Sequence, residues 1–258
     1  MSALTLTPDW PAPACVRAAF TLRAGGVSRP PYDSLNLGSR VGDDEEAVVE
    51  NRRRVRDLLR LPREPAWLTQ AHGADVLDLT EADAARRTGA EAGRFPVADA
   101  AVARGSGTVC AIQVADCMPV LFTNREGTVV GAAHAGWRGL CAGVLESTVR
   151  KLGVQGARLL AWLGPAIGPD HFEVGEEVRA AFLASDAGSG VAFVANSRGR
   201  WQCDLYALAR RRLAALGISE VYGGVWSTYG DRGRFFSYRR DGACGRMAAL
   251  IWIEAARA

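Results

Sequence analysis

The sequence predicts an α+β fold in a single domain. Strand-like and helix-like patterns are mixed without strict βα alternation, which argues against a doubly wound parallel sheet. Three strongly apolar runs follow one another at Val109–Val114, Pro119–Thr123 and Thr128–His134, separated by turn residues, as buried neighbouring strands would be. No internal repeat or linker divides the 258 residues, a length that can bury a sizeable core.

Taken in order, residues 1–13 read as a flexible or loosely packed N-terminus, and residues 15–22 as a short strand. A glycine- and proline-rich loop follows from Arg23 to Gly42, long enough to be either functional or disordered. Asp43 and Asp44 suit a helix start, and Val48, Val55 and Leu59, flanked by Val49 and Leu58, carry an apolar stripe to about Leu61. Glu50 and Arg54 make a favourable i,i+4 pair on its outer face. Ala66–Gln70 and Asp75–Leu79 read as strands, and Thr80 to Arg94 as a polar, alanine-rich stretch. Beyond the three apolar runs, Gly139 to Leu152 reads as a helix and Arg158–Leu163 as a strand. Helices near Gly175–Leu183 and Asp204–Leu216 and strands near Glu220–Tyr222 and Met247–Ile253 complete the chain.

Composition removes several function classes. A net charge of +3 is too small to argue for nucleic acid, and the one basic run, Arg52 to Arg54 with Arg56, reads as a solvated helix face. Lys151 is the only lysine and is followed by Leu152, so the chain has no phosphate-cradling Gly-Lys-Ser/Thr loop. Its place at a helix C-terminus also argues against a buried Schiff-base lysine. Six cysteines without paired spacing read as reduced thiols. The N-terminus lacks a signal-peptide pattern, and no apolar run reaches the roughly 18–20 residues a bilayer demands. The chain therefore reads as cytoplasmic, a monomer or homodimer, with no membrane or nucleic-acid partner.

The chain has three histidines. His72 closes a strand-like segment in Gln70-Ala71-His72-Gly73. His134 stands where a buried strand turns into a helix, in His134-Ala135-Gly136-Trp137-Arg138-Gly139. His171 lies in a surface-turn composition, Gly168-Pro169-Asp170-His171, and receives no role. Cys117 precedes Pro119, which cannot donate to a sheet ladder, so it belongs at a strand break. Two imidazoles and a thiolate form a soft set for zinc or copper, and three protein ligands leave a fourth position open. Spacings of 45 and 17 residues leave the alternative open: a buried cysteine and two histidines satisfied by backbone. Cys110 and Cys141 read as core positions, and Cys15, Cys203 and Cys244 have no evident partner.

These segments resemble the YfiH-like, laccase-domain family, also described as multicopper polyphenol oxidases or peptidoglycan editing factors. The matching stretches are Phe20–Ser28, Ser34–Gly38, Val41–Asp44, Gln70–Gly73, Ala115–Pro119, His134–Gly139, Gly164–Pro169 and Phe235–Gly242, in family order across nearly the whole chain. The resemblance implies one enzyme domain over 1–258, an α+β fold with a large mixed β-sheet flanked by helices, and His72, Cys117 and His134 as metal ligands. It further implies purine nucleoside phosphorylase, methylthioadenosine phosphorylase and adenosine deaminase activities, with copper polyphenol oxidase or Cys-dependent cell-wall editing as the alternatives. Many members carry a cysteine where this chain has Ser227, which weakens any mechanism using a second thiol there.

Three histidines are too few for a blue-copper site plus a copper cluster, so oxidase activity is secondary. A zinc ion (or Cu2+) would activate water or polarise a substrate, and the H-x-E…P-C-x-x-C deaminase signature is absent. Phosphorolysis of adenosine, inosine and methylthioadenosine needs an anion site, for which Arg138, Asn36 and Arg40 are the candidates. Asp116, beside Cys117, is expected to orient an imidazole or take a proton. The substrates expected are purine nucleosides and phosphate.

Overall fold

The computed structural model describes residues 4–80 and 95–255, and the expected polar stretch 80–94 lies almost wholly outside them. The fold is α+β, in four layers. Its inner layers are a four-stranded antiparallel sheet and a six-stranded mixed sheet. The first has the order β1 (Thr5–Leu6), β2 (Val16–Thr21), β13 (Met247–Ile253), β5 (Val109–Val114). The second runs β12 (Glu220–Gly223), β8 (Leu159–Leu163), β6 (Met118–Asn124), β7 (Val129–Ala135), β4 (Ala100–Arg104), β3 (Val76–Asp78). Its edge pairs, β12 with β8 and β3 with β4, are parallel and the rest antiparallel.

Side-chain parity assembles the layers. On β7, Val130 and Ala132 face the four-stranded sheet, where they join Ile112 and Val114 of β5 and Met247 and Ala249 of β13. Ala133 and Ala135 face the other way, into a core with Val120 and Phe122 of β6. Helices α2 (Trp137–Ala142), α3 (Val144–Leu152), α4 (Glu176–Ser185) and α5 (Leu205–Ala215) cover that side. The outer face of the four-stranded sheet, Val109, Ala111, Ala248 and Leu250, is covered by Trp67, Leu37 and Val55 of α1 (Glu45–Leu59). Strands buried on both faces read as unbroken apolar runs, which is why the three central strands were visible in the sequence.

Several elements depart from expectation. Ala66–Gln70 is no strand: its ladder contacts are single bridges, from Ala66 to Cys110 of β5 and from Thr69 to Val97. Ala100–Arg104 is a strand that the sequence pattern did not suggest, because its alanines carry little strand preference. The helix expected over 139–152 is two helices, broken at Gly143, whose φ of +90° an L side chain rarely adopts. A small sheet of β9 (Glu173–Val174), β10 (Phe193–Ala195) and β11 (Trp201–Cys203) was also unforeseen. Cys141 is half-buried and not a core residue, whereas Cys203 and Cys244 are buried. Of the segment expected to be loose, Thr5 and Leu6 pair with Thr21 and Phe20.

The long loop is ordered by two buried asparagines. Asn51 of α1 accepts from Val27 N–H and donates to Ser28 Oγ and to the Ser34 and Asn36 carbonyls. Asn36 spends its whole amide locally. It donates to Gly38 O and Asp43 Oδ2 and accepts from the N–H groups of Gly38 and Arg246. The loop is thereby fastened to the start of β13.

Candidate metal centre and its cavity

Three strand ends bring the soft side chains together. Cys117 occupies the turn between β5 and β6, His134 the penultimate position of β7, and His72 the loop before β3. Their ligand atoms all lie within 4.8 Å of one another, with Cys117 Sγ 3.8 Å from His72 Nε2. Bonds of about 2.0–2.3 Å to one shared zinc would set ligand atoms about 3.3–3.8 Å apart, so a small closure suffices. Two nitrogens and a sulfur with one side open suit zinc or copper. The donor set fits a metal ion, and its chemistry does not choose between the two.

Asp99 organises this centre. It precedes β4 and, by the parity of the β4–β7 ladder, faces the same side as His134. Its Oδ1 lies 2.9 Å from His134 Nδ1, which leaves Nε2 as that ring's ligand atom. The same carboxylate accepts the N–H groups of Ala71, His72 and Gly73 at 3.1, 2.8 and 2.7 Å. It thereby holds His72 in a left-handed conformation, φ 62°, that a non-glycine residue adopts only under constraint. Burial would raise the Asp99 carboxyl, but the His134 hydrogen bond and the Gly73 and Ala71 N–H groups hold it below the usual carboxylate range. Burial likewise pushes the Cys117 thiol up. The charge and hydrogen bond of His134, with the His72 contact, outweigh burial and favour a thiolate. His134 is raised in turn, against its burial, by Cys117 and Asp99.

Glycine lets the ligand loops approach. A Cβ on Gly136 would stand 2.8 Å from Cys117 Sγ, and one on Gly139 would stand 2.8 Å from the Gly73 carbonyl. The centre opens into a cavity of about 460 Å³, bounded by loop 38–41, Gln70, Gln113, Tyr238 and Arg246. That is room for a small molecule.

Four other expected site residues sort as follows. Arg40 lines the cavity, exposed and without an ion pair among the described residues. Asn36 does not: it is fully buried behind the loop with its amide consumed, so it positions Arg40 and Arg246 instead of meeting a ligand. Arg138 is exposed on α2 with its guanidinium 4.4 Å over the Trp137 ring, and it is no part of the cavity wall. The Asp116 carboxylate turns away from the imidazoles. It accepts from Thr228 Oγ1 at 2.6 Å and from Arg239 N–H at 2.7 Å, the latter in the short helix α6 (Tyr238–Asp241). Orienting an imidazole falls to Asp99. A lone acid inside the apolar run Val97–Ala103 was the signal for it. Arg246 stands four residues beyond the last motif noted in the sequence. His171 lies in a surface turn, stacked on Tyr229 at 4.3 Å.

A mixed sheet here gathers a thiol and two imidazoles at its strand ends, beside a ligand-sized cavity, in an arrangement that could hold a metal ion. The chain belongs to the multi-copper polyphenol oxidoreductase laccase family, which it matches over residues 17–254. It is 53% identical to a purine nucleoside phosphorylase of Pseudomonas aeruginosa over 96% of this chain and 98% of that one. It is 52% identical to the purine nucleoside phosphorylase YfiH of Escherichia coli, with the same coverage. Among solved structures, a Neisseria meningitidis protein superposes with a TM-score of 0.91 at 47% identity, over 98% of this chain and all of that one. YlmD of Geobacillus stearothermophilus gives 0.92 at 32% identity, over 99% and 98%. Among the described residues, no helix is long and apolar enough to cross a membrane.

Proposed function

We propose that this chain is a metal-dependent purine nucleoside phosphorylase that splits adenosine, inosine and methylthioadenosine, with deamination of adenosine as a second outcome at the same centre. One observation carries the reading: the open His72–Cys117–His134 set shares its cavity with two cations, Arg40 and Arg246. The names of the relatives supply the substrate class.

In phosphorolysis a phosphate oxygen bonds to the ribose C1′ while the C1′–N9 bond breaks and the leaving purine takes up a proton. The chain must therefore hold a dianion beside a neutral nucleoside. Arg246 has only Nη1 engaged, on the Cys244 and Gly245 carbonyls and Cys244 Sγ, which leaves Nε and Nη2 without partners among the described residues. Together with Arg40 it offers charge-assisted donors to phosphate, the role first expected of Arg138. A zinc ion held by His72, Cys117 and His134 would supply Lewis acidity. Asp99 keeps the two imidazoles in register, and Asp116 braces the Cys117 turn.

A second reading has an observation behind it. A thiolate-favouring Cys117 beside two imidazoles is also the arrangement of a thiol hydrolase acting without metal. Copper oxidase chemistry is disfavoured, since the whole chain has three histidines and the described residues form one ligand cluster. Purified protein incubated with adenosine and phosphate is expected to give adenine and ribose 1-phosphate. Finding neither these nor inosine from zinc-loaded protein overturns the reading. About one metal per chain, lost in Cys117→Ala, would set the thiol hydrolase aside.

A further inference from the structure

The nucleoside reading leaves the purine ring without a seat, and the cavity wall contains one. Tyr238 is 61% exposed, an unusual position for a ring that borders a ligand-sized cavity. Its location is fixed through the metal centre's own loop. Asp116, next to Cys117, grips the N–H of Arg239, the residue after Tyr238, at 2.7 Å. The Arg240 side chain then ties the same helix to the Thr228, Tyr229 and Phe235 carbonyls. The Arg246 guanidinium lies over one face of the Tyr238 ring, 5.9 Å from its centre, which leaves the other face for a ligand.

Gln113 stands on the same wall. In the β5–β13 ladder Gln113 pairs with Ala248, and Val114 with Met247. Continuing that register one residue puts Arg246 two places from Ala248, on the sheet face that carries Gln113. Diagonal neighbours of this kind lie about 7–8 Å apart. The two glutamines of the cavity differ. The Gln70 carboxamide is consumed by the backbone N–H and C=O of Gln113, both at 2.8 Å. The Gln113 carboxamide has no hydrogen bond among the described residues.

We propose that the purine base binds between these two side chains, stacked on Tyr238 with its six-membered-ring edge paired to the Gln113 carboxamide. The inference rests on the nucleoside phosphorylase reading and adds to it the residues that choose the base. A carboxamide presents one acceptor beside two donors. Against adenine it accepts from the 6-amino group and donates to N1. Rotated by half a turn, it accepts from N1–H of hypoxanthine and donates to O6. One free glutamine thus serves 6-amino and 6-oxo purines alike, without selecting between them. Asp116 becomes a positioning residue, holding the stacking ring in place relative to the Cys117 turn.

The experiment uses zinc-loaded full-length protein, with phosphorolysis kinetics and calorimetric titration of adenosine, inosine and purine riboside, which lacks a 6-substituent. Tyr238→Ala is expected to raise KM for every nucleoside by about tenfold or more, the loss of one base–aromatic stack. KM for phosphate and metal content should stay unchanged, and Tyr238→Phe should restore nucleoside affinity. Gln113→Leu is expected to weaken adenosine and inosine by about tenfold while abolishing their advantage over purine riboside, because the group that reads the 6-position has gone. Unchanged nucleoside KM in Tyr238→Ala, or a preserved adenosine advantage in Gln113→Leu, overturns the proposal. If wild-type protein turns over no nucleoside, the phosphorylase reading fails, and the titrations still judge the base site. Adenosine binding that weakens in both variants upholds the site, and absence of adenosine binding to wild type overturns it.

Discussion

At the scale of single residues, the decisive group is Asp99, one buried carboxylate that serves two ligand segments. Asp99→Asn keeps the size but removes the charge and replaces an acceptor with a donor. Metal affinity is expected to fall by about tenfold to a hundredfold, read by competition with a chromophoric chelator, while the CD spectrum stays that of wild type. Unchanged affinity would show that the three N–H groups and the His134 ring do not need the carboxylate. Gly136→Ala tests the approach of the loops, since the added methyl would press on Cys117 Sγ. It is expected to reduce bound metal more than Asp99→Asn does, in a chain that still melts cooperatively. That His72, Cys117 and His134 come together was legible because the chain has only three histidines and these side chains are soft donors. Asp99 was harder to see, because its role comes from strand parity: β4 sets it across from His134 only once the two strands are paired. Arg138 shows the opposite failure. Four residues from a ligand looked close, but α2 turns its guanidinium onto Trp137 and out of the cavity.

At the scale of elements, ion pairs on the helices give the fold an acid-sensitive component. Hydrogen bonds from Arg53 and Arg54 hold Glu50 of α1 at about 2, below its ordinary 4.5. Arg211 of α5 does the same for Asp186, after α4, from 3.8 to about 2. A carboxyl depressed in the folded state stabilises it fully above its unfolded pKa, and that contribution fades as pH falls from about 4.5 to about 2. Tm is therefore expected to drop over that interval. The Glu50→Gln/Asp186→Asn double variant should show a shallower drop, as should wild type in high salt, because these exposed pairs are screened. Equal slopes in low and high salt would rule the pairs out. Helix α1 was readable from its acidic start and the Val48–Val55 stripe. The small β9–β11 sheet was not, because strands of two or three residues are too short to show a period.

At the scale of the whole molecule, the three candidate ligands stand at the rim of the core, with His134 buried and Cys117 packed against the cluster between the sheets. The apolar cluster between the sheets and the cluster under the helices are otherwise built from residues outside this set. A structural zinc module would unfold when stripped. Here a chelator is expected to remove metal and activity while leaving far-UV CD intact and a single cooperative melt, lowered by a few degrees at most. Loss of CD signal on chelation would place the metal in the folding core instead. The mixed order of strands and helices made the α+β class legible from the start. The pairing of the two sheets was not, because β2 and β5 are joined through β13, a neighbour that comes from the far end of the chain.

That late strand has a consequence for synthesis. All three soft ligands have been translated by residue 134, but the antiparallel partner shared by β2 and β5 is supplied only at 247–253, and Tyr238 and Arg246 arrive just before it. An emerging polypeptide would therefore carry a thiol and two imidazoles for roughly half its translation before the four-stranded sheet can close over them. Assembly of the pocket wall must await those late residues, so a truncated product ending before Tyr238 should be inert however much metal it is given.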